Sequence, residues 1–338
     1  MNSKRIQFLL AVFAIWTTLL LMSTTTFGGS IVIGGNYTDI GTIVIVSPKP
    51  GDRPQANGTA LLNNLAGITA DVNNPYVIKL GPGIYDIGVG SCQMKEYVDV
   101  EGSGENTTTI TGHNGVGVVQ GASNAEIRFL TVRNTGGGTE AIGIYNPSAS
   151  PKIMNVTASA SGGINYNIGV ENAFSSPTMT NVTVSASGGS NSQGVLNHYS
   201  SPTMTNVTAS GSEGNEFNFG VYNDFTSSPT MTNVTASASG GTDNYGVFNS
   251  SSSPTMTNVT ASGSGGTTNR GVYSEISGTI RINHSVIKGS TNTVWNGSGV
   301  TTYVGNTQLD GGPASNSGTL TCAGVYSETY TFYASTCP

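Results

Sequence analysis

The segment SPTMTNVTASGS at Ser201 to Ser212 recurs in near copies that begin at Ser176, Ser228 and Ser253. Prolines mark the period: Pro151, Pro177, Pro202, Pro229 and Pro254 follow one another at 26, 25, 27 and 25 residues. Self-similarity of this length makes each copy one supersecondary unit, which completes its core only by stacking on its neighbours. The period is too long for a single hairpin and carries no helical pattern, so it predicts a solenoid of strands.

Within one copy Met179, Val182 and Val184 are apolar, while Thr178, Thr180, Thr183 and Ser185 are polar. The two-residue alternation slips by one at Asn181, which a strand, a tight turn and a second strand produce. Asparagine tolerates the left-handed backbone better than other non-glycine residues. Asn155, Asn181, Asn206, Asn233 and Asn258 are therefore expected to lie above one another as a hydrogen-bonded ladder. A later beat, IGVEN, QGVLN, FGVYN, YGVFN and RGVYS, puts Val170, Val195, Val221, Val247 and Val272 in register. Each period thus holds three short strands wound around a narrow lumen. Successive coils stack at about 4.8 Å, as in a parallel β-helix. Alanines at 158, 209, 236 and 261 suit the tight interior.

Composition agrees. Only 9% of residues are charged, against roughly 25% in ordinary soluble domains. Ser, Thr, Asn and Gly provide the polar surface instead, and they favour strands and turns over helix interiors. The predicted fold is all-β: a parallel β-helix of about 25-residue coils over 75–312, preceded by a segment and cap at 30–74. Within that cap GTALLNNLAGI, Gly58 to Ile68, has helical spacing. Residues 313–338 form the other cap.

The first 29 residues place Lys4 and Arg5 before an apolar run from Ile6 to Met22, the layout of a secretion signal or, uncleaved, of a membrane anchor. A secreted or cell-surface location is expected, with the membrane as partner only through that segment. In an exported chain Cys322 and Cys337 are expected to pair, closing a loop of a size worth about 3 kcal/mol. Cys92 then remains as a small buried hydrophobe. A net charge of −6 with no Lys/Arg cluster removes the electrostatic footprint that nucleic-acid binding needs.

PYVIKLGPGIYDIG followed by YVDVEGSGENTTTITG resembles the opening coils of pectin methylesterases, members of the pectin-lyase-like right-handed parallel β-helix superfamily. The likeness covers about residues 41 to 145. It includes the Gly83-Ile84-Tyr85 turn of the family's G-x-Y-x-E motif, with Ile87 where that motif has Glu. It implies a right-handed β-helix. The family's esterase activity relies on two aspartates, an arginine and glutamines on one outer face. Here Glu140-Ala141-Ile142-Gly143-Ile144 echoes the Q-A-V-A-L motif with Glu140 for Gln, and the Q-D-T-L and D-F-I-F-G motifs have no counterpart. Register puts Asn167 and Gln193 where the aspartates would stand. The resemblance therefore implies the fold and argues against the activity, and no catalytic residue is assigned.

Tyr145, Tyr222, Phe248 and Tyr273 follow the inward Ile or Val, so they project from one outer face, with Leu196 in the same row. With Glu171 they form the candidate ligand-binding set, since exposed aromatics stack on sugars or pack against partners. The plain alternative is a satellite apolar cluster under the loops. Glu171 is read as having no second carboxylate on a neighbouring coil. Glu213, Glu216, Asp224, Asp243 and Glu275 are read as solvated loop charges. A second stack pairs Thr178 with Thr180, Thr203 with Thr205, Thr230 with Thr232 and Thr255 with Thr257 in a Thr-x-Thr grid. That grid resembles the ice-binding face of β-solenoid antifreeze proteins. His113, His198 and His284 share no ligand spacing, so neither metal nor cofactor is expected.

The function that follows is a non-catalytic β-helix for adhesion or for binding a polysaccharide or cell-surface glycan. A pectinesterase-like or other carbohydrate-active enzyme is the alternative, and ice or crystal-surface binding through the Thr grid is the second.

Overall fold

The computed structural model describes residues 41–338. The basic and apolar segment at 1–29, and the secretion signal or anchor expected there, lie outside the described residues. Among the described residues no helix is long and apolar enough to cross a membrane.

The chain is all-β and winds as a parallel β-helix. Each coil contributes one strand to a ten-stranded sheet and two strand segments to a longer, bent sheet. In the bent sheet Ile153 pairs with Met179, Met179 with Met204, Met204 with Met231 and Met231 with Met256, all in parallel. In the other sheet Val170, Val195, Val221, Val247 and Val272 are aligned in the same way. These two rows, with Val182, Val207, Val234 and Val259 and the alanine row, line the lumen and are fully or almost fully buried. Full burial of one such side chain contributes roughly 1.5–3 kcal/mol, so the stacked lumen supplies the main driving force.

The corner of the bent sheet is the expected asparagine position. Asn155, Asn181, Asn206, Asn233 and Asn258 all take φ between 52° and 55°. Each Nδ2 from Asn181 onward donates to the Oδ1 of the preceding coil, at 3.0, 2.9, 3.0 and 2.7 Å. The Ser-Pro pair acts likewise in the repeats that open at Ser176, Ser201 and Ser228. The N–H groups of Ser176, Ser201 and Ser228 donate to the hydroxyl of the preceding coil's serine. The N–H groups of Thr203, Thr230 and Thr255 donate to the preceding Pro carbonyl, so proline's missing donor is placed where only its acceptor is used.

A second ladder lies inside. Asn146, Asn172, Asn197 and Asn223 each donate from Nδ2 to the next coil's Asn Oδ1 at 2.8 Å, and Asn249 ends the row on the Ser274 hydroxyl at 3.0 Å. The donor direction is opposite to that of the outer ladder. These side chains are fully buried, and a buried amide needs such partners because losing them costs about 1–3 kcal/mol.

Parallel pairing begins earlier and runs later than the predicted 75–312. Thr42–Val46 pairs with Tyr76–Leu80, and Val325–Ser327 still stacks on Gln308–Gly311. Helix α1, Pro54–Gly67, starts before the expected Gly58 because Pro54 sits in its first turn, where proline's fixed φ favours helix. Its buried Leu61 and Leu65, one turn apart, join Ile68 and Tyr85 in the lumen cluster. At the other end the short strand Phe332–Tyr333 runs antiparallel to Val325–Ser327, and Cys322 is bonded to Cys337 with Cα atoms 5.4 Å apart. Cys92 is fully buried in the lumen cluster, and burial pushes its thiol up to about 12.

Candidate functional site

The outer face of the ten-stranded sheet differs in side chains from the rest of the solenoid. Tyr145, Glu171, Leu196, Tyr222, Phe248, Tyr273 and Trp295 occupy successive rungs of one column. A second column, three residues earlier in the chain, holds Ile142, Ile168, Gln193, Phe219, Tyr245 and Arg270. Strict alternation would not put residues three apart on one side, and the glycine between them is the reason. Strand register skips Gly169, Gly194, Gly220 and Gly246. A Cβ on Gly220 would collide with backbone atoms of Ala236, Ser237 and Gly246. Gly220 and Val221 thus both turn inward, and their flanking neighbours Phe219 and Tyr222 share the outside.

The rings of these columns pack on one another. Phe219 lies 4.9 Å from Tyr222, 5.5 Å from Tyr245 and 5.4 Å from Phe248. Phe248, Tyr273 and Trp295 continue the stack at 4.9 and 4.4 Å. Phe219 and Tyr245 are buried but lie outside the lumen cluster, so the face has a small apolar core of its own. Tyr166 and Phe217 border it with more than a third of their surface exposed. The guanidinium of Arg270 sits 4.9 Å from the Tyr273 ring centre and 5.7 Å from that of Tyr245. It also donates to Asn292 Oδ1 at 3.1 Å, so the guanidinium is held in place by neutral groups on the face.

Glu171 shares this face with a second acid. Glu140 stands on the adjacent strand, Glu140–Pro147, beside the strand Tyr166–Ala173 that carries Glu171. Burial, and then the charge of Glu140, push the Glu171 carboxyl up to about 7. The expectation that Glu171 lacks a carboxylate on a neighbouring coil is thereby corrected. Sequence alternation alone missed Glu140 because the glycine bulge changes which residues share the outer side. Burial and nearby carboxylates also raise the phenols of Tyr145, Tyr222, Tyr245 and Tyr273, that of Tyr222 to about 12. Tyr273 OH donates to Glu275 Oε2 at 2.9 Å.

The two residues at the family's aspartate positions part company. Asn167 is fully buried and clasps its own turn, accepting from Gly163 N at 2.8 Å and donating to Gly163 O at 3.1 Å. Gln193 lies on the outer face between Ile168 and Phe219, 5% exposed, and its buried Oε1 has no hydrogen-bond partner among the described residues.

A further aromatic row escaped the sequence reading. Phe174, Tyr199 and Phe225 follow the ten-stranded sheet on three successive coils with φ of 53°, 50° and 44°. Their rings stack at 4.9 and 5.1 Å, nearly parallel, and remain 62%, 44% and 46% exposed. Each of the two ring faces of Tyr199 meets a neighbour, so the row presents edges to solvent. His198 packs edge-on among them and lies 3.5 Å from Asp224.

On the bent sheet the eight grid threonines stand in two straight rows, Thr178, Thr203, Thr230, Thr255 and Thr180, Thr205, Thr232, Thr257. The rows end at Lys152 and Met154 on one side and at Arg281 and Asn283 on the other. Among the described residues no group of three or more His, Cys, Asp or Glu side chains is arranged to hold a metal ion.

No protein-family profile matches the chain, and no curated protein does. Solved structures of similar shape include the A-module of mannuronan C-5 epimerase AlgE6 of Azotobacter vinelandii, 14% identical over 82% of this chain and 79% of that one, with a TM-score of 0.47. Carrot pectin methylesterase is 13% identical over 83% and 84%, with a TM-score of 0.41. The Dettilon tailspike protein is 12% identical over 83% and 68%, with a TM-score of 0.38. The fold class rests on the register of this chain's own strands, and likenesses this distant say nothing of its activity.

Proposed function

We propose that this protein is a polysaccharide-binding β-helix, secreted or displayed at the cell surface, whose contact surface is the outer face of the ten-stranded sheet. One observation carries the reading. An aromatic band runs from Phe219 and Tyr222 to Trp295, with Tyr145 set apart beyond the rungs of Glu171 and Leu196, and the glycine bulges hold it on this face. Such a band offers a rising series of equivalent contacts to a chain of repeating sugars. The bond between Cys322 and Cys337 supports an oxidising compartment. Pull-down of the purified protein on a panel of insoluble polysaccharides tests the reading. At least one should deplete it from solution, and the double variant Tyr222→Ala/Phe248→Ala should release it. A panel that retains nothing, or retention indifferent to that variant, would count against this face.

The Glu140 and Glu171 pair favours a second reading, a carbohydrate-active enzyme. Acid/base chemistry needs two carboxyl groups whose environments set their protonation apart, and Glu171 is raised with Glu140 beside it. Product release that disappears in Glu171→Gln would favour the enzyme. Retention of the polysaccharide with no product would leave the binding role alone.

A further inference from the structure

We infer that this face takes a neutral polysaccharide segment and turns away polyuronates and other polyanions; the inference rests on the polysaccharide-binding role proposed above. The electrostatics of the face decide it. Glu140, Glu171, Asp224, Asp243 and Glu275 border or stand in the two aromatic columns, and their charges act on the tyrosines of the face. The one guanidinium in the columns, on Arg270, is held by the Tyr245 and Tyr273 rings and by Asn292. His198 is engaged with Asp224 and the edge-on aromatic row.

A bound carboxylate or sulfate ester would therefore meet five carboxyl groups against the single guanidinium of Arg270, so like charges outnumber the cation on this face among the described residues. A neutral sugar meets complementary groups instead. Its hydroxyls donate to the carboxylates and accept from the phenols of Tyr145 and Tyr222, while its C–H surface rests on ring edges and faces.

The test is a pair of polymers that share a backbone and differ in charge. Hydroxyethyl cellulose is compared with carboxymethyl cellulose, and highly methyl-esterified with de-esterified polygalacturonan, each titrated against the full-length protein at pH 8 and low salt. The neutral member of at least one pair should bind at least tenfold more tightly than its anionic partner. The gap should shrink in 0.5 M NaCl, where charges more than a few ångströms apart are screened. It should also shrink in the double variant Glu140→Gln/Glu171→Gln, whose side chains keep their size. Equal or tighter binding of the anionic members overturns the inference while leaving a polysaccharide-binding protein. A preference for the neutral member that neither salt nor the double variant changes overturns it in the same way. No binding to any polymer overturns both the inference and the role on which it rests.

Discussion

Two outer faces are built by the same repeat, and they behave oppositely along the molecule. On the bent sheet the repeat copies itself: Thr178, Thr203, Thr230 and Thr255 are one residue four times over. On the ten-stranded sheet the equivalent column reads Tyr145, Glu171, Leu196, Tyr222, Phe248, Tyr273 and Trp295, although the inward residue beside each is Ile144 in the first and valine in all the others. Duplication accounts for the first face, because a repeat multiplies whatever it contains and threonine suits a solvent-facing strand. It does not account for the second, where the outer residue changes while the inner one is kept. Variation held on a constant support is the pattern expected of a surface that recognises something.

The two faces share a lumen, and damage there should erase the contrast. Val221→Asp places an unpaired carboxylate among Val195, Val247 and their neighbours, at a cost of several kcal/mol. The expected result is loss of the cooperative melting transition seen by circular dichroism, and an unchanged transition would refute the inward assignment. Asn223→Ala is a milder interior lesion. It strips Asn197 and Asn249 of their ladder partners and should cost about 1–3 kcal/mol in denaturant unfolding. The corresponding loss at the outer corner, Asn206→Gly, which keeps the left-handed backbone without strain, should cost less, since water replaces the lost partner. If the two variants were equally stable, the inner ladder would not have the structural role assigned to it.

Binding should separate the faces more finely. Tyr222→Ala/Phe248→Ala is expected to weaken polysaccharide binding at least tenfold, while Thr203→Val/Thr205→Val leaves it unchanged in the same titration. The reverse result would make the threonine rows the working surface. Recrystallisation inhibition that the threonine variant abolishes would point to ice.

The smallest expected effect concerns acid and base. Because Glu171 is raised in the folded state to about 7, its protonated form is the one folding favours. Its contribution is fully present below the unfolded carboxyl range and declines as pH rises toward and through 7. Groups facing it include Glu140 and Tyr145. The melting temperature should fall slightly from pH 5 to pH 8, and the decline should flatten in Glu171→Gln.

Much of the fold was legible because period, alternation and turn chemistry agree. The slip at Asn181 located the corner, and the Gly-Val beat located the third strand. The inner asparagines were equally readable, two residues after each valine and thus on the same inward side, but an amide in an apolar lumen runs against the usual pattern until its ladder is drawn. The site was legible by half. Tyr222 and Phe248 follow from alternation, whereas Phe219, Tyr245 and Gln193 require knowing that Gly220 and its equivalents are skipped in the pairing. Phe174, Tyr199 and Phe225 gave no signal, since bulky residues seldom adopt positive φ.

The two opposed asparagine ladders give each coil the same connectors above and below. Met179, Met204, Met231 and Met256 meet whichever neighbour is presented, as do the serines before each proline. Seen from the lumen the near-copy coils are therefore interchangeable modules: a deletion or gain of one whole period keeps the inward and asparagine joints fitted and alters the reach of the protein by about 4.8 Å. Near-identical tandem copies in a coding sequence are prone to unequal exchange, so length itself is the property that this design leaves freest to change, one rung at a time.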